Sequence, residues 1–184
     1  NDIKLVTYKD FDLKESSKSR VVNIGIVGGS ASEYFLSLYL AFIGVDIAKI
    51  NLVHSNADEL PAKLAKNDVD AIAVWEPFAY NTVAQLEDTV KVINSKNLYT
   101  LTFNLITNRQ TLDENYKQSV CILEALSKAT YFITEQPLEA QAIVKEKLNL
   151  DHEFIKWIWQ DYVFKLSLGQ SLLMNLESQA KWRQ

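Results

Sequence analysis

The sequence predicts an α/β fold, with a largely parallel sheet covered by helices on both faces and a helical appendage at the C-terminus. Three observations support this fold class. Apolar, β-branched runs alternate with amphipathic helical patterns up to about residue 110, the connections between them are short, and the pattern beyond residue 111 is helical. The 184 residues are 48% hydrophobic, which is enough for a sizeable core in a chain of one-domain length.

The first part of the chain begins with a strand and then alternates. Residues 3–8 predict a short connecting strand, and the polar run that follows it predicts a surface loop. Further strands are predicted at 21–27, 50–54, 70–75, 89–93 and 98–106, and helices at 32–43, from the cap cluster 55–58 to about 66, and at 77–86. We therefore assign residues 1–20 to a connecting strand and loop, and 21–110 to an α/β lobe.

Residues 111–184 are assigned to C-terminal helices. The first runs from 113 to about 134, and the second follows the break at Gln136-Pro137 and reaches 148. The third begins after the cap residue Asp151 and continues through Phe164, and the fourth runs from about 170 to the end. Their apolar side chains need a surface to cover, and they include Trp157, Trp159, Leu172, Leu173, Leu176 and Trp182.

Composition and spacing argue against several classes of protein. A net charge of −4 disfavours nucleic acid and anionic membranes as partners. A single cysteine, Cys121, excludes an internal disulfide framework, and its helical context predicts a buried apolar role. His54 and His152 lack spaced ligand partners, so no metal and no cofactor are expected. No nucleophile elbow or catalytic constellation is found, which favours a protein that is not an enzyme.

The first candidate site is the turn Gly28-Gly29-Ser30-Ala31-Ser32, which follows a strand and opens a helix. Backbone N–H groups at a helix N-terminus and the positive end of its dipole favour an anion, so Gly29, Ser30 and Ala31 are candidate ligand-binding residues. Glu33 departs from the dinucleotide fingerprint, and no acidic residue closes the next strand. An ordinary tight turn without a ligand stays an alternative.

The second candidate site is the end of the strand at 70–75, where Trp75-Glu76 precedes Pro77 at the expected start of a helix. In open α/β sheets ligands bind at this edge, so Trp75 is a candidate wall and Glu76 a candidate acceptor. Plain packing of both side chains is the alternative. In the predicted strand 98–106, Asn104 shares a face with Thr100 and Thr102 and is a candidate to reach the cleft.

The order and spacing of these motifs resemble the NMT1/THI5-like group of ABC transporter substrate-binding proteins. This group contains the nitrate, taurine, aliphatic-sulfonate and thiamine-pyrimidine binders. The resemblance spans nearly the whole chain, and it rests on residues 28–40, Gly44-Val45-Asp46, Val69-Asp70-Ala71, Trp75-Glu76-Pro77-Phe78, 135–140 and 166–168.

The resemblance implies one lobe of a type II periplasmic binding protein, whose family has two lobes that close on a small ligand. It implies an anionic or zwitterionic solute, contacted by Gly29, Ser30, Ala31, Trp75 and Glu76, for ABC-type uptake or extracytoplasmic sensing. The implied partner is an ABC permease or a membrane signalling domain, and the implied location is periplasmic or extracytoplasmic. The chain is expected to be a fragment, with any signal or anchor outside it, and a homodimer of the fragment is a further expectation. The alternatives are an enzyme on the same fold, similar to thiamine-pyrimidine synthesis proteins, or a Rossmann-type nucleotide-binding domain.

Overall fold

A five-stranded mixed sheet organises the first part of the chain. The computed structural model describes residues 3–93 and 98–184, which divide into two compact units. One unit contains the described residues up to Leu101 together with Asn175–Gln184, and the other is Thr102–Met174. The sheet belongs to the first unit.

The secondary structure follows the predicted alternation closely. In chain order the elements of the sheet region are β1 Ile3–Tyr8, α1 Leu13–Ser19, β2 Val22–Ile26, α2 Ala31–Ile43, β3 Ile50–His54, α3 Leu60–Ala65, β4 Ala71–Trp75, α4 Phe78–Leu86 and β5 Val90–Ile93. The helical part that follows contains α5 Arg109–Glu114, α6 Tyr116–Glu135, α7 Pro137–Leu148, α8 His152–Trp159 and α9 Gln170–Arg183.

The strand order in the sheet is β3-β2-β4-β1-β5. β2 pairs in parallel with β3 and β4, whereas β1 is antiparallel to β4 and β5. Four of the five described strands therefore point the same way, and the predicted α/β class with a mostly parallel sheet is confirmed. The predicted connecting strand is present, and it lies inside the sheet between β4 and β5.

Successive side chains of the strands divide between two core clusters. Leu5 and Ala73 belong to one cluster, while Val6 and Ile72 belong to the other, because neighbouring residues of a strand point to opposite faces. The first cluster also takes Phe35 of α2, which is fully buried. The second takes Leu60 and Leu64 of α3. Helices therefore pack on both faces of the sheet. Each such buried side chain contributes about 1.5–3 kcal/mol to the free energy of folding.

The polar run after β1 is a helix, and the predicted surface loop is wrong there. Asp12 caps α1 by accepting a hydrogen bond from the Glu15 backbone N–H at 2.9 Å. Leu13 and Ser17, four residues apart, are both buried. One apolar residue in a short helix leaves too weak a period to detect in the sequence, and the cap together with the packing of Leu13 decides the conformation.

The predicted strand at 98–106 is also wrong. Residues 99–108 have no regular secondary structure, and Asn104 is exposed, with its amide donating to Thr102 Oγ1 at 3.2 Å. Phe103 and Ile106 are 75% and 85% exposed. A strand needs a neighbouring strand for its backbone N–H and C=O groups, and the described sheet ends at β3 and β5 without pairing this segment.

The second unit consists of helices joined by short breaks. The first predicted helix divides at Asn115 into α5 and α6, and α5 begins earlier than expected because Asn108 caps it by accepting from the Thr111 N–H at 2.7 Å. The break before Pro137 and the cap at Asp151 are confirmed. The third predicted helix stops at Trp159, short of Phe164.

Cys121 is exposed on α6, so the predicted burial of this thiol is wrong. None of the residues of α6 is buried, and the amphipathic pattern therefore marks a face that nothing in the described chain covers completely. Across residues 3–93 and 98–184, no helix is long and apolar enough to cross a membrane.

Candidate functional site at the carboxyl edge of the sheet

The carboxyl ends of three neighbouring parallel strands form the candidate site. β2 lies between β3 and β4, and the register pairs Ile26 with His54 and Gly25 with Ile72. The segments that leave these strands are therefore neighbours at one edge. This edge brings together the two predicted motifs, the Gly-Ser turn after β2 and the Trp-Glu-Pro segment after β4.

Ser30 is the N-cap of α2, which begins at Ala31, one residue before the predicted start. Its hydroxyl accepts a hydrogen bond from the Ser32 N–H at 3.1 Å and donates to the Val27 carbonyl at 2.6 Å. The Ser30 hydroxyl therefore stabilises the turn through both hydrogen bonds, at the carboxyl edge of the sheet. The backbone N–H of Ala31 has no hydrogen-bond acceptor within the described part of the chain, so α2 presents a donor at its positive end.

Gly29 adopts the left-handed conformation, with φ at 66°, which glycine accepts at little cost. Its N–H donates to Glu33 Oε2 at 2.6 Å. The carboxylate of Glu33 thus lies at the start of α2, where it complements the helix dipole. The sequence reading treated Glu33 only as a departure from the nucleotide fingerprint, and its capping contact was missed.

Ser32 links the Gly-Ser turn after β2 to the end of β4, and its side chain is fully buried. Its hydroxyl donates to the carbonyl of Ala73 in β4 at 2.5 Å. Because Ala73 lies only two residues before Trp75, this bond places the first turn of α2 beside the end of β4. Trp75 is partly buried and packs on the same cluster as Ala31.

Glu76 is placed by the helix that follows it. Its Oε2 atom accepts a hydrogen bond from the Tyr80 N–H at 2.9 Å, which satisfies a donor in the first turn of α4. α4 begins at Phe78, one residue later than predicted, and Pro77 is its N-cap after a cis peptide bond from Glu76. The edge therefore carries two carboxylates, Glu33 and Glu76, each at the start of a helix.

The end of α9 supplies a cation that the sequence reading missed. The guanidinium of Arg183 lies against Gly29, where Nη1 would come within 2.7 Å of a Cβ atom built on this glycine. The preceding residue, Trp182, meets the ring of Tyr34 edge-on at 5.2 Å. A separation of about 150 residues hides this contact from any local pattern, and only the folded chain reveals it.

His54 and Asn104 complete the list of residues singled out in the sequence. The ring of His54 covers Gly28, since Nδ1 would lie 2.5 Å from a Cβ atom there. Asn104 belongs to Thr102–Met174 and is therefore not part of the unit that holds the sheet edge. The described residues contain no cluster of His, Cys, Asp or Glu that could hold a metal ion.

At the opposite, amino edge of the sheet, the side chain of Asp70 is engaged in hydrogen bonds. Its oxygens accept from Arg20 at 2.6 and 2.8 Å and from the Asn23 N–H at 2.8 Å. These hydrogen bonds, above all those from Arg20, hold the pKa of Asp70 below its usual value against the opposing effect of burial. Asp70 therefore stabilises the sheet that positions the candidate site and is not one of the residues that line the site.

Known structures share this fold. The chain superposes on the periplasmic aliphatic sulphonate-binding protein SsuA from Escherichia coli with a TM-score of 0.77 and 15% identity, covering 98% of this chain and 59% of that one. The alkanesulfonate-binding protein SsuA from Xanthomonas axonopodis pv. citri, bound to MOPS, gives a TM-score of 0.69 at 14% identity, covering 98% and 62%. An ABC transporter protein from Parabacteroides distasonis gives 0.54 at 14% identity, covering 84% and 55%.

The chain thus spans about 60% of the length of the two sulfonate-binding proteins. Direct comparison with curated protein sequences finds no match. A family model described as NMT1/THI5 like matches residues 12–140, which is well over half of the chain and includes Ser30, Trp75 and Glu76. The chain belongs to the NMT1/THI5-like family.

Proposed function

We propose that this chain is the ligand-binding part of an extracytoplasmic solute-binding protein and that it works without catalysis. The observation that carries the proposal is the sheet edge itself, where the free N–H of Ala31 and the guanidinium of Arg183 lie beside the start of α2. Both groups are donors, and both favour a small anionic group. Trp75, at the end of the neighbouring strand, offers an apolar wall for the body of the ligand.

The charges of the edge favour a zwitterion over a simple anion. Glu33 already occupies the Gly29 N–H, and Glu76 adds a second negative group. An ammonium group on the ligand would be attracted by these carboxylates, while an acidic oxygen would take the N–H of Ala31 and Arg183. An amino sulfonate of the size of taurine is a ligand of this class.

Binding would have its effect through a change of conformation. The matched sulfonate-binding proteins are longer than this chain, and we propose that their additional part has a counterpart in the natural protein that covers the edge. Closure over a ligand selects one conformation from a mixture of open and closed forms. A permease of an ABC importer or a membrane signalling domain would recognise that closed form, and the protein would then work outside the cytoplasm. Association of two copies through the C-terminal helices stays a prediction.

The test is calorimetric titration of the natural protein in its full length with taurine, ethanesulfonate and ethylammonium. These probes share a two-carbon body and differ only in their charged ends. We expect taurine to bind tightest, and Arg183→Gln to weaken taurine and ethanesulfonate about tenfold or more, since a charged hydrogen bond contributes roughly 1.5–3 kcal/mol. Glu33→Gln should reduce the preference for taurine over ethanesulfonate.

The double variant Ser30→Ala with Trp75→Ala should abolish binding, and Asn104→Ala tests the remaining predicted contact. Asp12→Ala is the matched control, because it also removes a helix N-cap but at the amino edge of the sheet. Unchanged affinity in the double variant would reject the assigned site. Chemical conversion of a probe, detected by mass spectrometry, would replace the proposal with the enzyme alternative, and stabilisation by NAD or ATP alone would favour the nucleotide-binding one.

A further inference from the structure

A second concave site lies at the other end of the same sheet. Its volume is about 320 Å³, and Leu5, Thr7, Ala71 and Ile93 are among the strand residues that line it. Thr7 pairs with Ala71, the first residue of β4, whereas the candidate solute site follows Trp75, the last residue of that strand. With a rise of about 3.3 Å per residue, the two sites are separated by roughly 13 Å along β4.

The cavity exists because the sheet is incompletely covered near β5. Lys91 and Ile93 of β5 line the cavity, while Val90 and Val92 pack with the core cluster on the opposite face. Leu5, Thr7 and Ala71 form the floor beneath the cavity and are buried, whereas Ile93, Lys91 and Tyr39 are partly exposed. Residues from α1 and from the second half of α2 form the walls, and they include the aromatic rings of Tyr39 and Phe42.

The rim carries ionisable groups with a net positive charge. Lys14 and Lys91 are cationic and Asp12 is anionic. Asp12 Oδ1 is engaged by the Glu15 N–H, and Lys91 Nζ donates to the Lys9 carbonyl at 2.5 Å, which leaves that ammonium two further protons. Lys14 has no ion-pair partner anywhere in the described residues.

Tyr39 adds a polar group to an otherwise apolar wall. Its ring stacks with Phe35 at 6.4 Å, while its hydroxyl has no hydrogen-bond partner among residues 3–93 and 98–184. Partial burial raises the pKa of Tyr39, and the negative charge of Asp12 raises it further. The hydroxyl therefore stays protonated and can donate a hydrogen bond at physiological pH.

We propose that this cavity binds a small organic acid with an apolar body, such as a short-chain or aromatic carboxylate. The body would contact Ile43, Ile93 and the aromatic wall, and the acid group would lie at the rim between Lys14 and Lys91. The volume falls at the lower end of the range of small-molecule sites, and the lining combines apolar side chains with several polar ones. The site is separate from the proposed solute site, since the two lie at opposite ends of β4 and share no lining residue.

The test is a titration of the ¹⁵N-labelled natural protein with hexanoate, followed by backbone amide shifts. Hexan-1-ol and acetate serve as probes that lack the charge or the apolar chain. We expect hexanoate to shift residues around Lys14, Tyr39 and Ile93 and to leave those around Ser30 and Trp75 unchanged. Both other probes should bind at least about tenfold more weakly, because each loses one of the two contributions.

Variants of the lining residues test the location of the site. Ile93→Trp should fill the cavity and remove hexanoate binding. Lys14→Gln with Lys91→Gln should weaken hexanoate binding about tenfold and leave the fold intact. Lys49→Gln is the matched control, because Lys49 precedes β3 at the far edge of the sheet from β5. The proposal is overturned if hexanoate shifts only the Ser30 edge, if no shifts appear, or if the lysine double variant binds as the parent does. If the natural protein binds hexanoate but neither taurine nor ethanesulfonate, the proposed function is refuted and this second site is not.

Discussion

Replacing Asp70 by alanine should loosen the junction between β2 and β4, because it removes the side-chain contacts of Asp70 and keeps its backbone carbonyl. The carboxylate of Asp70 bridges to Arg20 and caps the Asn23 N–H at the start of β2, while its backbone carbonyl accepts from Thr7 Oγ1 of β1 at 2.8 Å. The Asp70 side chain is 22% exposed and that of Arg20 is 47% exposed. The residue therefore links β1, β2 and β4 at a half-buried position.

The magnitude follows from the two kinds of contact that alanine removes. A partly exposed ion pair contributes about 0.5–1 kcal/mol. The Asn23 N–H would lose a charged acceptor near the core, which costs roughly 1–2 kcal/mol. The expected loss in the free energy of unfolding is therefore about 1.5–3 kcal/mol at pH 7.

Acid should erase this difference. The folded-state pKa of Asp70 is lowered, mainly by the hydrogen bonds from Arg20. A carboxylate whose pKa is lower in the folded state stabilises the fold above its unfolded pKa of about 3.9. That contribution begins to fall near pH 4 and is lost as the pH falls through the lowered folded pKa, so the difference between the parent and Asp70→Ala should shrink progressively below about pH 4.

Urea unfolding at pH 7, 5, 4 and 3, followed by tryptophan fluorescence and by circular dichroism, measures the difference. Arg20→Ala and the double variant complete a mutant cycle that isolates the pair from the Asn23 contact. Glu15→Ala is a matched control, because Glu15 pairs with Lys18 on an exposed surface. This explanation is contradicted if Asp70→Ala lowers the free energy of unfolding by less than about 0.5 kcal/mol at pH 7, or if the difference from the parent is unchanged at pH 3.

Two further predictions concern glycines of the scaffold. Gly25→Ala should lower the free energy of unfolding in urea by about 1–3 kcal/mol, because the new Cβ would lie 2.7 Å from Leu60 Cδ2 and 3.2 Å from Ile72 Cγ2. A change below about 0.5 kcal/mol would mean that α3 moves to relieve the clash at little cost in stability. Gly44→Ala should cost about 1 kcal/mol for a purely backbone reason, since φ is 70° and no atom lies within 4 Å of the new Cβ. Gly44→Asn should recover part of that loss, and equal instability of both variants would contradict the explanation.

Helix ends that carry a capping residue were partly predictable from the sequence. The cap at Asp151 and a helix opening at the Gly-Ser turn were predicted, and Asp151, Ser30 and Gly44 are helix caps in the structure. Their hydrogen bonds join residues two to four positions apart, so the local sequence contains all that is needed. The buried strands were found for a similar reason, since continuous apolar runs mark a sheet covered on both faces.

The errors have a common cause in contacts between distant residues. The segment at 98–106 has the alternation of a strand, but pairing depends on a partner that the described chain does not offer. α1 is the reverse case, because its weak periodicity is overcome by the cap at Asp12 and the burial of Leu13. The pair of Asp70 and Arg20 is of the same kind, because it joins residues fifty positions apart.

By itself, the sequence determined the α/β alternation, the edge at which Ser30 and Trp75 would meet, and the resemblance that predicted the family. These follow from hydrophobic period, capping chemistry and motif order, which are local properties. Only the tertiary structure placed Arg183 against Gly29, directed the Glu33 carboxylate to the Gly29 N–H and left a cavity beneath α1 and α2. Those features depend on which distant segments of the chain pack together, and a local sequence pattern of a few residues does not reveal such contacts.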